Sequence, residues 1–105
     1  MNESVKAELD KYVDFISSLT GVLQIYLFGS YATGESHKTS DIDLMVVIEN
    51  SMDPFKTAYK IRKGLTDTDF IIDVAVNRKS AFEEASKNSS FQRSIKENGV
   101  LLYAA

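Results

Sequence analysis

Two apolar segments of β-strand length enclose a polar stretch that begins with Gly–Ser and ends with Asp–Ile–Asp. The first segment covers residues 22–28 and leads directly into Gly29–Ser30, and the second covers residues 41–48 and opens with Asp41 and Asp43. Side chains alternate between the two faces of a strand, so Asp41 and Asp43 point to the same side. Two carboxylates this close repel each other unless a cation lies between them. The pattern therefore predicts two strands whose junction carries a metal-binding carboxylate pair.

The Gly29–Ser30 pair supplies the complementary half of such a site. Backbone amides at the start of a helix favour a bound anion, and Mg²⁺ takes carboxylate oxygens while leaving positions free for substrate phosphates. Gly and Ser are also ordinary turn residues, so this interpretation depends on the combined motif. Together, the two halves indicate phosphoryl or nucleotidyl transfer.

A third aspartate strengthens this interpretation. Asp73 interrupts an otherwise apolar segment at residues 70–76, where an ionised carboxylate is costly to bury unless it is paired or bound to a metal. If this strand lies beside the strand at 41–48, three carboxylates converge, an arrangement that can hold two metal ions about 3.5–4 Å apart. The alternative is a solvated carboxylate on an exposed face of the sheet. Asp67 and Asp69 repeat the spacing without an upstream Gly–Ser pair, and we expect them in a solvated turn.

Periodicity and breaker residues predict an α/β (α+β) fold, in which helices flank a small mixed β-sheet. We expect the helix at residues 80–87 to be capped by Ser80 with Glu83 three residues later, and the last helix, started by Asn88 or Ser89, to carry Phe91 and Ile95. The predicted helices cover residues 2–19, 31–32, 54–63, 80–87 and 88 or 89 to 98, and the predicted strands cover 22–28, 41–48, 69–76 and 100–103.

Length and composition place further bounds on the chain. Its 105 residues predict a single domain over residues 1–105. The net charge of −3 argues against a surface built to bind nucleic acid, and the absence of cysteine excludes disulfides and thiolate metal sites. There is no apolar signal core at the N-terminus and no run of apolar residues long enough to span a membrane. We therefore expect a cytoplasmic protein without membrane contact.

The residues 27–34, Leu-Phe-Gly-Ser-Tyr-Ala-Thr-Gly, followed by Ser-Asp-Ile-Asp-Leu at 40–44, resemble the signature of the DNA polymerase beta nucleotidyltransferase superfamily. Within it, the chain is most similar to the minimal nucleotidyltransferases of the MntA-like antitoxin type. The resemblance extends over essentially the whole chain. It implies a polymerase-beta-like nucleotidyltransferase fold.

The resemblance also implies a role for each motif residue. Asp41, Asp43 and Asp73 would be the catalytic metal ligands, holding two Mg²⁺ ions, with Asp73 also a possible general base. Gly29 and Ser30 would bind the β- and γ-phosphates of ATP. An acceptor hydroxyl would attack the α-phosphorus and receive AMP as pyrophosphate leaves.

The resemblance further implies a partner. Relatives that modify aminoglycosides or transfer RNA carry a second domain for the acceptor, whereas the minimal enzymes often pair with an all-helical toxin of the HEPN class and transfer AMP to a tyrosine of it. We therefore expect such a toxin as acceptor and ATP as donor. Two alternatives are a non-catalytic module that masks its partner and an enzyme that modifies a small molecule with the help of a second subunit. Many relatives have an arginine where this chain has Thr33, which would weaken nucleotide binding without removing the metal ligands.

Overall fold

The computed structural model describes residues 3–34 and 41–105. Residues 35–40, which the sequence predicts as part of a polar loop, lie outside the described residues. The order of elements along the chain is α1 (Glu3–Ser17), β1 (Val22–Phe28), α2 (Ser30–Thr33), β2 (Ile42–Ile48), α3 (Pro54–Gly64), β3 (Ile72–Arg78), α4 (Lys79–Asn88), α5 (Ser90–Asn98) and β4 (Val100–Ala104).

The four strands form one mixed sheet in the order β3-β2-β1-β4. β1 pairs antiparallel with both β2 and β4, whereas β2 and β3 run parallel and are connected through α3. A parallel pair needs a crossover of this kind because a hairpin can join only antiparallel strands. The mixed sheet flanked by helices confirms the predicted fold class.

One face of the sheet packs against α1 and α3. Helix α1 contributes a buried stripe at helical spacing, and α3 contributes Ile61. Alternate residues of β1 and β2 meet these helices, among them Ile25, Leu27 and Leu44, all fully buried. Burial of an aliphatic side chain of this size contributes roughly 1.5–3 kcal/mol, so this cluster is the main core of the described residues. The buried stripe of α1 consists of Val5, Leu9, Tyr12 and Ile16.

Helices α4 and α5 cover the opposite face. Met45 and Val47 of β2 point to this side and pack in a second cluster with Tyr26, Phe82 and Ile95. Strand β2 is therefore buried on both faces, which explains why its sequence is almost uninterruptedly apolar rather than alternating. The rings of Tyr26 and Phe82 lie 5.6 Å apart between centroids and fix α4 against the sheet.

The start of β3 and the cap of α4 differ from the prediction. β3 begins at Ile72 rather than at residue 69, because the Thr68 hydroxyl accepts a hydrogen bond from the Phe70 amide and holds a local turn there. α4 begins at Lys79, and its first turn has no cap from Ser80. The Ser80 amide instead donates to Asn50 Oδ1 at 3.0 Å, so the cap comes from the loop after β2. Among the described residues, no helix has the length and apolar character needed to cross a membrane.

Candidate active site

The parallel pairing of β2 and β3 sets two predicted carboxylates side by side. Asp43 and Asp73 are direct partners in the register of these strands, so their side chains leave the sheet on the same face. This is the face covered farther along by α4 and α5, since Met45 and Val47 share it with Asp43. Strand adjacency thus brings together two residues that are thirty positions apart in sequence.

Asp41 lies next to this pair, just before β2. The Ile42 amide donates to the Ile71 carbonyl at 2.8 Å, which extends the β2–β3 pairing to the start of the motif. The pKa of Asp43 is raised above its usual value, first by partial burial and then by the negative charges of Asp73 and Asp41. The carboxylates of Asp73 and Asp41 are therefore near enough to Asp43 to oppose its ionisation.

This carboxylate cluster, Asp41, Asp43 and Asp73, has the chemistry of a site for a hard cation but no preassembled ligand sphere. Within residues 3–34 and 41–105, no three His, Cys, Asp or Glu side chains are arranged to hold a metal ion together. Carboxylate oxygens are nevertheless the donors that Mg²⁺ prefers, and a cation would relieve the mutual repulsion that raises the pKa of Asp43. The donor set fits Mg²⁺ by its charge and its oxygen atoms.

Asp73 differs from the prediction in one respect. The sequence argument assumed that its carboxylate would be buried within an apolar segment, but Asp73 is exposed on an edge strand. Ile72, Val74 and Val76 turn toward the core, while Asp73 and Ala75 point away from it. The burial argument for Asp73 was therefore wrong, and its place in the cluster follows from strand register alone.

Gly29 joins the phosphate half of the motif to the carboxylates. It follows Phe28, which is the register partner of Asp43 across the β1–β2 pair. Its backbone angles are φ 76° and ψ −156°, a region that is essentially restricted to glycine. A Cβ atom at this position would overlap Oδ2 of Asp43. Both the backbone conformation and the close approach of Asp43 therefore require glycine here.

The segment after Gly29 forms the single helical turn α2, as predicted. The amides of Ala32 and Thr33 donate to the Gly29 carbonyl at 3.1 and 3.2 Å, so the Ser30 and Tyr31 amides precede the first bonds of the turn. The Thr33 hydroxyl donates to the Ser30 carbonyl at 3.2 Å. Thr33 is exposed, so this position presents a hydroxyl at the surface of the turn.

The sequence interpretation missed a contribution from α5. This helix carries Phe91 and Ile95 as predicted. Ile95 is buried, whereas the side chain of Phe91 is 56% exposed. Phe91 borders a cleft of about 360 Å³ between α5 and the Gly29–Ser30 turn. The helical spacing of Phe91, Ile95 and Asn98 was visible in the sequence, but nothing in it indicated that α5 lies beside Gly29.

Comparison with known proteins places this geometry in a family. The family model described as "Polymerase beta, Nucleotidyltransferase" matches residues 10–105. A search of curated proteins gave no significant match.

Similar solved structures share the fold at low sequence identity. A protein from Sulfolobus solfataricus assigned to the nucleotidyltransferases is 19% identical with a TM-score of 0.63, over 99% of this chain and 89% of its own. A toxin–antitoxin complex with AMP-PNP is 22% identical with a TM-score of 0.53, and the match covers 94% of this chain and 73% of the other. A mutant of the toxin–antitoxin MntA–HpeT is 20% identical with a TM-score of 0.51, and the match covers 100% of this chain and 75% of the other. Because the family match extends over nearly the entire sequence, the chain belongs to the polymerase beta nucleotidyltransferase family.

Proposed function

We propose that this protein is a Mg²⁺-dependent nucleotidyltransferase that transfers AMP from ATP to a hydroxyl group of a partner protein. The observation that carries the proposal is the register of Asp43 with Asp73, together with the close approach of Gly29 to the Asp43 carboxylate. This juxtaposition brings the Gly29–Ser30 turn and the carboxylate cluster into one small region, which supports a site for a metal-bound triphosphate. In-line attack at phosphorus needs both, to position the triphosphate and to stabilise the charge on it.

Each motif residue then has a defined task. The Ser30 amide and hydroxyl would bind the β- and γ-phosphates, and the Ser30 side chain has no hydrogen-bond partner among the described residues. Asp41, Asp43 and Asp73 would hold Mg²⁺, which when bound neutralises phosphate charge and favours ionisation of the acceptor hydroxyl.

Asp73 would also accept the proton of the attacking hydroxyl. A new bond forms between the acceptor oxygen and the α-phosphorus, the bond from the α-phosphorus to the bridging oxygen breaks, and pyrophosphate leaves. The exposure of Asp73 on an edge strand supports an acceptor that approaches from outside the chain. A side chain of another protein can reach such a position.

We propose a helical toxin of the HEPN class as that partner and one of its tyrosines as the acceptor, so that the chain acts as the antitoxin. Two of the similar structures are toxin–antitoxin proteins, one of them with AMP-PNP, which supports both the type of partner and an adenine nucleotide as donor. The phenol of tyrosine is a suitable acceptor because it ionises more readily than an aliphatic hydroxyl.

Intact-mass spectrometry of the co-purified partner, after incubation with ATP and Mg²⁺, tests the proposal. We expect mass increases of whole AMP units with the wild-type chain and none with Asp41→Asn/Asp43→Asn. The matched control is Asp67→Asn/Asp69→Asn, which removes the same charge at the same spacing from an exposed turn outside the sheet. An unchanged partner mass in a tight complex would reject transfer and support masking. Modification of a small molecule instead of the partner would support the other alternative.

A further inference from the structure

The outer side of α3 combines exposed aromatic rings with basic side chains. Thr57 and Ile61 are buried and fix the inner side of the helix against the core. The first turn is held by Asp53, whose carboxylate accepts hydrogen bonds from two backbone amides of α3. The outward side chains are therefore attached to a well-anchored helix. We call them the α3 surface, and they are Phe55, Lys56, Tyr59, Lys60, Arg62 and Lys63, all exposed.

Two aromatic rings lie side by side on the α3 surface. Phe55 is 86% exposed, more than any other large apolar side chain of the described residues, and Tyr59 is 63% exposed. Residues four positions apart are neighbours on a helix, with about 5–6 Å between their Cβ atoms. The faces of both rings are thus open to a ligand, and every nucleobase offers a flat surface that stacks on such a ring.

Basic side chains surround these rings. Helix α3 carries four of the chain's 12 basic residues and none of its 15 acidic residues, so the net charge of −3 conceals a positive surface on this helix. None of the four forms a salt bridge within residues 3–34 and 41–105. Nζ of Lys63 lies 5.8 Å from the centroid of the Tyr59 ring, which joins a cation to the stacking surface. The complementary ligand is a chain that carries a negative charge and a flat group on each unit, as a nucleic acid does.

Other kinds of partner fit this composition less well. Lysine is depleted from the cores of protein interfaces, yet three of the four cations beside the rings are lysines. A helix that lies on a membrane needs a free apolar face, whereas the apolar face of α3 is buried against the core. A nucleic-acid duplex keeps its bases stacked inside, so it offers no base faces to the two rings. Unpaired bases, which are the usual targets of stacking in RNA, do offer them.

We propose that the α3 surface binds single-stranded RNA, with two successive bases stacked on Phe55 and Tyr59 and the neighbouring phosphates bound by the four cations. RNA is favoured over DNA because the Tyr59 hydroxyl, which has no hydrogen-bond partner among the described residues, can bond to a 2′-hydroxyl. Helix α3 packs on the face of the sheet opposite the carboxylate cluster. Binding of RNA therefore needs neither the metal ion nor the nucleotide of the proposed transfer reaction.

Fluorescence anisotropy of a labelled oligouridylate of about 12 nucleotides, without Mg²⁺ or ATP, tests the contribution of the rings. We expect Phe55→Ala/Tyr59→Ala to weaken binding about 10-fold or more. Phe55→Leu/Tyr59→Leu should lose as much, because leucine is apolar but does not stack. The matched control is Phe91→Ala, which removes an exposed ring from α5 on the other face of the sheet and should leave RNA binding unchanged.

The dependence on salt tests the contribution of the cations. If all four neutralise phosphates, the logarithm of the association constant should fall with the logarithm of the salt concentration with a slope of about −3. Lys56→Gln/Lys60→Gln should make this slope shallower by about 1.4. Lys79→Gln/Lys87→Gln removes the same charge from exposed positions on α4 and should change it far less.

Two further ligands test the choice of single-stranded RNA. The deoxyuridine oligomer should bind more weakly than the oligouridylate, and Tyr59→Phe should remove the difference. Equal binding of both by the wild-type chain would overturn the choice of RNA. Binding that survives the loss of both rings would overturn the inference, as would a wild-type chain that binds no RNA at low salt. Binding of polyglutamate or of anionic vesicles in place of RNA would reject it in favour of an acidic protein or a membrane.

Discussion

At the scale of single residues, Gly29 connects backbone geometry to chemistry. Its φ of 76° with ψ of −156° excludes other residue types, and a Cβ would overlap Asp43 Oδ2. We expect Gly29→Ala to lower the free energy of unfolding by about 1–3 kcal/mol and to abolish AMP transfer, because Asp43 must move. Gly34→Ala is the matched control, since Gly34 also has a positive φ of 82° but its Cβ would meet open space. Equal loss of activity in both variants would contradict a specific role of the Gly29–Asp43 approach.

Without a bound metal ion, the carboxylate cluster lowers the stability of the fold, and Asp43 shows why. Its pKa is raised by burial and by the charges of Asp73 and Asp41, so the ionised form destabilises the fold as the pH rises through that pKa. In the presence of a chelator at neutral pH, Asp43→Asn should therefore raise the Tm, and the gain should disappear in acid, where the wild-type carboxyl is protonated.

Addition of Mg²⁺ should make the wild-type chain more stable than Asp43→Asn. At a concentration about ten times its Kd, Mg²⁺ would stabilise the wild-type chain by about 1.4 kcal/mol, which corresponds to a rise in Tm of roughly 6–11 °C. The Tm of Asp43→Asn should respond far less, and Asp69→Asn should behave like the wild type. Thermal unfolding at several pH values, with and without Mg²⁺, measures both effects. A wild-type Tm that is insensitive to Mg²⁺ would contradict the assignment of the cluster as a metal site.

The residues of the candidate site were predictable from the sequence where a motif defines their spacing. The spacing of Gly29–Ser30 and Asp41–Asp43 led to residues that the fold does bring together. The exposure of Asp73 was not predictable. A central strand and an edge strand can have the same apolar sequence, so burial cannot be judged before the order of the strands is known. The exposure of Phe91 was not predictable for a related reason, since helical periodicity does not show what lies opposite the helix.

At the scale of elements, the start of α4 shows how a distant residue can replace a local cap. Ser80 has the sequence signature of a helix cap, but the Ser80 amide is bonded to Asn50 Oδ1. We expect Asn50→Ala to destabilise the protein by about 1 kcal/mol, as loss of a cap does, whereas Ser80→Ala should change stability by less than about 0.5 kcal/mol. Denaturant unfolding of the two variants decides between them. A larger loss of stability in Ser80→Ala than in Asn50→Ala would show that Ser80 itself caps the helix.

The contact of α1 with the segment before β3 predicts an alkaline transition. The Tyr12 hydroxyl is hydrogen-bonded to Thr68 and donates to Glu8 at 3.0 Å, and burial raises the pKa of Tyr12 to about 12. Because this value lies above that of the unfolded chain, about 10, the contribution of Tyr12 is present below pH 10 and is lost between about pH 10 and 12. Tyrosinate absorbance of the wild type minus that of Tyr12→Phe should show this late ionisation. A difference spectrum that titrates near pH 10 would contradict it.

At the scale of the whole molecule, the two faces of the sheet differ: one carries the main apolar core, and the other carries the carboxylate cluster. One face is occupied by α1 and α3 over the larger apolar cluster, and the other combines a small apolar cluster under α4 and α5 with the carboxylate cluster at the strand ends. The number of strands and their mixed character were predictable from periodicity and turn residues. The order β3-β2-β1-β4 was not, because pairing partners depend on contacts far apart in sequence.

The molecule as a whole also offers a test of catalysis against masking that needs no variant. A catalyst releases its product and acts again, whereas a masking protein neutralises at most its own molar amount of partner. With the partner in large molar excess and with ATP and Mg²⁺ present, we expect AMP to accumulate on nearly all partner molecules over time, and omission of ATP to prevent this. Inactivation of the partner in strict proportion to the added protein, independent of ATP, would reject turnover. The exposed position of Asp73 at the sheet edge favours turnover, since an acceptor that reaches the cluster from outside can also leave it.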